Sequence, residues 1–395
     1  MMGDGADRLA VIGMGWIGAY MVPCYRSLLG EGYEKRMFAM KAGSRGIEEL
    51  RHRYGFEIIA GNCLDKLKEY KPGILVLSVR PHEVAGVAED TIKPYVKYRR
   101  EQGLGGLLLL SFAPSPRPEW YTRILGDGVR TVCILPAMET VIGGLDVYSL
   151  AFNKITYDPG CPPGREQLDA VRQFLKPLGQ VFECTPDESL RLLSMSITYH
   201  MLYLLCFGLE PHYGDESGQG GCARAAGILY ALNRRRLGLP GLITPAAAPD
   251  GRQMDGQQMD RLAWLEKGWY EGALAFAREA GGEAGNKAGP YDGREGGNGN
   301  GNETRAGTAG NADIIAPRSF ELHLLSLQLE TREFLEAKLK DHATPGGMTE
   351  EAVSGFRQLW TGKDWMEGDV SMAYDISYRL AERVYKKGKA LEKRR

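Results

Sequence analysis

Leu9-Ala10-Val11-Ile12-Gly13-Met14-Gly15-Trp16-Ile17-Gly18 is the stretch that decides how this chain is read. A short apolar run ends in glycine, and Ile17, Met21, Tyr25 and Leu28 then recur at helical spacing. A strand, a glycine turn and a helix start in that order make a place for a dinucleotide pyrophosphate. The glycines let the backbone turn tightly and approach the phosphates, while the helix start offers unpaired N–H groups and a positive dipole end. A GxGxxG match alone is weak evidence, but the preceding strand and following helix strengthen it. Pro23 is expected to bend the helix or to end its first turn.

The next strand, Met37 to Met40, runs into Lys41-Ala42-Gly43-Ser44-Arg45, with no acid before Glu48. A site for NAD usually has Asp or Glu about 20 residues on, holding the ribose hydroxyls. Here Arg45 can act as a fork on a 2′-phosphate, with Ser44 as a neutral donor and Lys41 as a further charge. NADP (as NADPH) is therefore favoured over NAD. A solvated basic loop is the alternative.

Outward from this stretch, strand and helix signals alternate. Strands are expected at Glu57–Ile59, Ile74–Val79, Leu107–Phe112, Val129–Leu135 and Val147–Phe152, and helices at His82–Tyr95, Glu119–Leu125 and Arg165–Leu178. Near-continuous apolar strands suit a parallel sheet covered on both faces. The fold class is thus α/β, a Rossmann-type doubly wound parallel sheet over residues 1–185. An all-α domain is expected over residues 186–395, with helices at Asp187–Leu209, Leu262–Ala280, Ser319–Lys340 and Val370–Leu391. Within it, Arg235–Gly256 is rich in Gly, Pro and Ala. The Gly/Asn-rich insertion at 281–312 has too few large apolar residues to offset its ordering entropy, and disorder is expected there.

The chain has 395 residues, 43% hydrophobic and 25% charged, with a formal net charge of −1. That is enough for two domains with cores of their own. No basic excess points to nucleic acid or anionic lipid, and the Lys/Arg-rich end (Lys386 to Arg395) reads as a solvated helical tail. Seven scattered cysteines include no CxxC pair, so neither a disulfide framework nor a zinc knuckle is expected. Reduced thiols fit a cytoplasmic protein. The longest apolar stretch, Met201–Leu209, falls far short of the ~20 residues that cross a bilayer, and no signal peptide is expected.

Several stretches together resemble the pyrroline-5-carboxylate reductase family. The Gly13–Gly18 loop is followed by Ser78-Val79-Arg80-Pro81-His82, similar to the family's small-Val-Lys-Pro-polar motif. Ser111 matches a serine ending the next strand, and Val132–Pro136 resembles the strand entering a Met-Pro-Asn turn. Ser194-Met195-Ser196-Ile197-Thr198-Tyr199 stands where the family has Ser-Gly-Ser-Gly-Pro-Ala. Thr344-Pro345-Gly346-Gly347-Met348-Thr349 resembles its Ser/Thr-Pro-Gly-Gly-Thr-Thr loop, with Gly355-Phe356-Arg357 beyond. The resemblance covers about residues 8–205 and 320–390.

It implies NADPH-dependent reduction of the C=N bond of a cyclic imino acid, of the proline-biosynthesis type, by a homodimer or higher homo-oligomer. Cofactor contacts are expected from Gly13, Gly15, Trp16, Ile17, Gly18, Ser44, Arg45, Ser78, Val79, Arg80, Pro81 and Ser111. Substrate contacts are expected from Thr344, Gly346, Gly347, Met348 and Thr349, whose consecutive glycines can form a nest of N–H groups for a carboxylate. Thr349, Ser194 and Ser196 are the candidates for supplying a proton to the ring nitrogen.

The chain also departs from the family's pattern. Trp16 replaces an Asn, Ala137-Met138-Glu139 replaces Asn-Thr-Pro, Met195, Ile197 and Thr198 replace Gly, Gly and Pro, and Met348 replaces a Thr. Glu350 and Glu351 suit a helix start but repel a carboxylate placed there. These departures leave a second reading open: a non-catalytic NADP-binding regulatory protein, similar to the family's divergent late competence branch. A metal site at His212, Asp215 and Glu216 matches no known ligand spacing.

Overall fold

A computed structural model describes residues 7–61, 63–136, 152–206, 256–278, 346–360 and 370–393. Its eight strands are β1 (Leu9–Ile12), β2 (Met37–Lys41), β3 (Glu57–Ala60), β4 (Ile74–Leu77), β5 (Leu107–Ser111), β6 (Val129–Leu135), β7 (Phe152–Tyr157) and β8 (Gln180–Glu183). They form one sheet in the order β3-β2-β1-β4-β5-β6-β7-β8. Every pair from β3 through β6 is parallel. The chain therefore starts in the middle and winds outward in both directions, as the alternation of strands and helices in the sequence implies.

Because strand residues alternate between faces, each strand supplies two cores. Leu9 and Val11, Met37 and Ala39, and Ile74 and Val76 enter one buried cluster, whereas Ala10 and Ile12, Phe38 and Met40, and Leu75 and Leu77 enter the other. The first face is covered by α1 (Trp16–Tyr20), α2 (Val22–Leu29), α3 (Ile47–Tyr54) and, further on, a helix at Arg165–Leu175. The second is covered by α4 (Leu64–Tyr70), α5 (Val84–Val87), α6 (Lys93–Glu101) and α7 (Pro118–Leu125); the helix at Arg165–Leu175 is α8. The break expected at Pro23 is found between α1 and α2, with Met21 at the junction and Pro23 in the first turn of α2.

The β7–β8 side of the sheet was only partly marked by the sequence. β7 runs antiparallel to β6, so the sheet is mixed at that side, as open α/β sheets often are. The strand expected at Val147–Phe152 lies almost wholly outside the described residues, and the one observed begins at Phe152. β8 was not marked by the sequence, because its residues are exposed or half-buried and carry no apolar run.

The described helices beyond the sheet are α9 (Pro186–Cys206), α10 (Gly256–Arg278), α11 (Met348–Trp360) and α12 (Val370–Lys393). They pack around Trp269 of α10, which is fully buried. Its indole N–H donates to the Thr198 carbonyl of α9 at 3.1 Å, Ser377 of α12 donates to its carbonyl at 2.6 Å, and the Phe356 ring of α11 meets it edge-on at 5.9 Å. The helix expected at Ser319–Lys340 and the Gly/Asn-rich insertion lie outside the described residues. Among the described residues no helix is long and apolar enough to cross a membrane.

Gly268 and Gly272 bring α10 against α12. A Cβ on Gly272 would stand 2.2 Å from the Tyr374 carbonyl oxygen and 2.5 Å from Ser377 Oγ. Gly272→Ala should therefore force the two helices apart and cost at least ~1–3 kcal/mol. A urea midpoint unchanged from wild type would show that the close approach is absent.

An ionic cluster joins the helices to the sheet. Asp187, in the first turn of α9, accepts from Tyr385 Oη at 2.6 Å, Lys389 Nζ at 2.8 Å and Arg191 Nε at 3.2 Å, and lies 3.7 Å from Arg117 before α7. Burial alone would push its carboxyl up, but hydrogen bonds from Lys389 and Tyr385, with the Lys389 charge, bring it from 3.8 down to about 2. A group with a depressed folded pKa stabilises above its unfolded value and loses that contribution as pH falls through the folded one. Wild type should thus shed stability between about pH 4 and pH 2 that Asp187→Asn lacks from the outset. Acid titrations of both, followed by circular dichroism, check this. Parallel curves would remove Asp187 from the joint.

Candidate nucleotide-binding site

The two directions of winding part between β1 and β4, and at their carboxyl ends lies the crevice where open α/β sheets take ligands. The glycine loop sits there under tension from two sides. The Gly13 and Met14 amides both donate to the Met40 carbonyl of β2, at 2.9 and 2.8 Å. From the β4 side, the Ser78 amide donates to Ile12 O at 2.9 Å and Ser78 Oγ donates to Gly13 O at 2.8 Å.

The three glycines then divide by role. Gly13 has φ +103°, and a Cβ on it would meet the Ser78 backbone at 2.8 Å. At Gly18 a Cβ would press to 2.6 Å on the Gly13 carbonyl, and the buried Tyr25 hydroxyl donates to Gly18 O at 2.9 Å. Both serve internal packing. Gly15 differs: it is exposed, caps α1, and a Cβ there would have nothing within 4 Å among the described residues. The first helical bond is Ala19 N to Gly15 O, so the amides of Trp16, Ile17 and Gly18 precede any intrahelical acceptor. The Trp16 side chain lies outside the described residues, and the Ile17 side chain is half-buried against the core, so each brings its backbone to the turn.

The other cofactor candidates lie around the same edge. Lys41 ends β2, and Ser44 and Arg45 are exposed on the loop that follows. The first acid after β2 in the sequence, Glu48, is paired with Arg51 at 2.6 Å. Val79 packs on Gly13, Pro81 is half-buried, and Arg80 is exposed while its amide donates to Glu83 at 2.9 Å. Ser78 serves as a pin, since its hydroxyl proton goes to Gly13 O.

Ser111, expected as a cofactor contact, is fully buried at the end of β5, and its hydroxyl lies 2.8 Å from Tyr121 Oη, which ties α7 to the sheet. Ser194, expected as a proton source, is fully buried and donates to the Leu190 carbonyl at 2.8 Å, one turn back in its own helix. Ser196 is buried on the same helix, and Met195 is fully buried.

Thr344 and Pro345 lie outside the described residues. The turn entering α11 begins at Gly346, with φ +72°. Here the expected carboxylate nest is altered, because the Gly346 amide donates to Glu350 Oε2 at 2.5 Å. The chain's own carboxylate occupies that donor. Glu351 turns the other way, to Arg383 at 2.5 Å and Lys387 at 3.6 Å, and those partners hold its carboxyl below the usual range. Gly347 O accepts from Glu351 N at 3.2 Å. Met348 lies on Gly388 of α12, beside Leu190, and Thr349 is half-buried. Ala137, Met138, Glu139, His212, Asp215 and Glu216 are outside the described residues.

Arg117 is a residue the sequence reading passed over. It lines a narrow cavity of about 30 Å³, room for one or two waters, beyond the ends of β5 and β6. Ala113, Cys133, Thr156, Ser189, Leu193 and Glu392 line it too. Burial pushes the Cys133 thiol up, so it offers no thiolate. No local motif marks Arg117; only the prolines at 114, 116 and 118 hint at a stiff loop.

These geometries make a stability contrast. Gly18→Ala should cost ~1–3 kcal/mol by overpacking, whereas Gly15→Ala should stay within about 0.5 kcal/mol of wild type. Equal losses in urea unfolding would mean that Gly15 also serves packing.

No protein-family model matches the chain, and no curated protein matches it. Solved structures resemble it at low identity. A pyrroline-5-carboxylate reductase from Coxiella burnetii is 14% identical over 98% of both chains, with a TM-score of 0.44. Plasmodium falciparum pyrroline carboxylate reductase with NADP bound is 12% identical over 98% of both, at 0.40. Prephenate dehydrogenase from A. aeolicus, in complex with hydroxyphenyl propionate and NAD+, is 13% identical over 65% of this chain and 77% of that one, at 0.39.

Proposed function

We propose that this chain binds NADPH along the crevice between β1 and β4 and reduces the C=N bond of a cyclic imino acid. The observation that carries the reading is Gly15, exposed at the head of α1 with open space where a side chain would stand. A backbone so bare admits a pyrophosphate to the first-turn amides, whose partial positive charge favours it. Lys41, Ser44 and Arg45, at the β2 edge, would take the 2′-phosphate, Arg45 by a bidentate contact. The bound nucleotide would supply a hydride.

The chain's part is then alignment: to hold the imine carbon near the donor in the inner end of the crevice and to exclude water there. Thr349, Ser194 and Ser196 are the proposed hydroxyls near the ring nitrogen, with Thr349 the half-buried one at the head of α11. A cytoplasmic homodimer joined through the helical layer, with no nucleic-acid or membrane partner, completes the proposal.

One observation favours the second reading, a non-catalytic NADP-binding protein. Glu350 fills the amide that a substrate carboxylate needs.

Titrations followed by tryptophan fluorescence test the cofactor. NADPH should bind more tightly than NADH, and Arg45→Ala should weaken NADPH by about ten-fold or more, the worth of a charged phosphate contact, while leaving NADH unchanged. Tighter NADH binding that ignores Arg45→Ala would refute the assignment. Oxidation of NADPH by pyrroline-5-carboxylate or another cyclic imine supports turnover. Good NADPH affinity with no oxidation by any of them supports the second reading.

A further inference from the structure

We propose that Arg117 is a positioning residue that fastens the inner end of the crevice to the helical layer, by way of Glu392 and Asp187. The inference rests on the nucleotide reading above and names the device that sets the far half of that site. A dinucleotide with its 2′-phosphate at β2 and its pyrophosphate at β1 continues over the ends of β4 and β5. Neighbouring strands are about 4.8 Å apart, so β5 lies about 10 Å beyond β1. The segment it would reach is Ala113-Pro114-Ser115-Pro116-Arg117-Pro118, directly after β5.

Three of those six residues are proline, with φ held near one value, so the segment moves as a unit. What holds the unit is Arg117. Its Nε lies 2.7 Å from Glu392 Oε2 on the last turn of α12, and its NH2 group lies 3.7 Å from Asp187 on the first turn of α9. Asp187 is itself fixed by Lys389, Tyr385 and Arg191, and the Arg191 guanidinium rests 5.0 Å from the Phe276 ring and 4.6 Å from the Tyr385 ring. The cluster thus joins three helices to one loop.

Two further observations show what the fastening controls. The narrow cavity lies between loop and helices, with Ala113, Pro114 and Arg117 on one wall and Ser189, Leu193 and Glu392 on the other. Release of Arg117 would widen it. One turn before Glu392, on the same side of α12, Gly388 seats Met348 from the turn at Gly346. The last turns of α12 therefore touch both the loop at the cofactor's inner end and the turn that enters α11. A shift of one would move the other.

Full-length Arg117→Met, Arg117→Lys, Glu392→Gln and the double variant Arg117→Met/Glu392→Gln test this by two independent readouts. By hydrogen exchange, the segment 112–125 should exchange faster in Arg117→Met and in Glu392→Gln, with β5 unchanged. By titration, Arg117→Met should weaken NADPH about ten-fold. It should leave 2′,5′-ADP, which carries only the adenine half, as in wild type. Arg117→Lys should recover part of the loss, and the double variant should be no weaker than Arg117→Met alone.

Unchanged exchange at 112–125, or equal loss of NADPH and 2′,5′-ADP, overturns the proposal. Should wild type bind neither nucleotide, the reading of the crevice fails. Exchange then decides the fastening by itself: faster at 112–125 supports it, and unchanged refutes it.

Discussion

The carbonyl oxygen of Met40 accepts from two successive amides, Gly13 and Met14, and the shape of the crevice depends on that shared acceptor. It draws the chain leaving β1 towards β2 at the level where a strand would otherwise run straight on. Ser78 holds the same turn from the β4 side, through its amide and its hydroxyl. Pinned between two neighbours, residue 13 is left with φ +103°, a conformation that glycine adopts without steric cost. The chain must then start α1 at Gly15, on the open edge of the sheet. Gly18 and Tyr25 complete the turn from beneath, so the amides at the head of α1 are presented by a rigid support.

The same economy governs the buried hydroxyls. An unpaired polar group in the interior costs more than its hydrogen bond gains, and four buried hydroxyls have an internal acceptor or donor. Ser111 meets Tyr121, Ser194 meets Leu190, Thr198 meets Ser194 and Ser377 meets Trp269. These bonds fix the side chains that make them and so help to specify the fold. In such a chain, chemistry at the crevice would depend on placement and exclusion of water rather than on a buried acid.

What the sequence made legible follows from period and backbone. Apolar runs such as Leu107–Leu110 and the glycine turn at 13–18 are local signals, and the structure places them as the pattern implies. The break at Pro23 is local too, since a proline tolerates the first turn of a helix but not its interior. The antiparallel course of β7 was hidden, because strand direction is a property of a connection and not of the strand's own residues. β8 was hidden because an edge strand needs no apolar run. The internal bonds of Ser111 and Ser194 were hidden for a related reason: whether a serine faces a crevice or its own helix depends on rotamer and neighbours, which spacing does not reveal. Arg117 depends wholly on partners 70 and 275 residues away, Asp187 and Glu392.

The heads of two helices state the functional question most sharply. At α1 the middle glycine is exposed, and the first turn carries no acidic residue of its own. At α11 the field of the first turn is met by Glu350, which closes on the Gly346 amide, while Glu351 is drawn away by Arg383 and Lys387. On the proposed reading, an external phosphate at α1 would gain that field with no described side chain of the turn in its place. An external carboxylate at α11 must first evict a tethered one, whose effective concentration is that of an intramolecular partner. On the proposed reading the two sites are thus unequal, since only the one at α11 already holds a carboxylate of the chain. A substrate that succeeds at α11 does so by bringing contacts elsewhere on the ring, or by arriving with its negative charge placed away from Gly346.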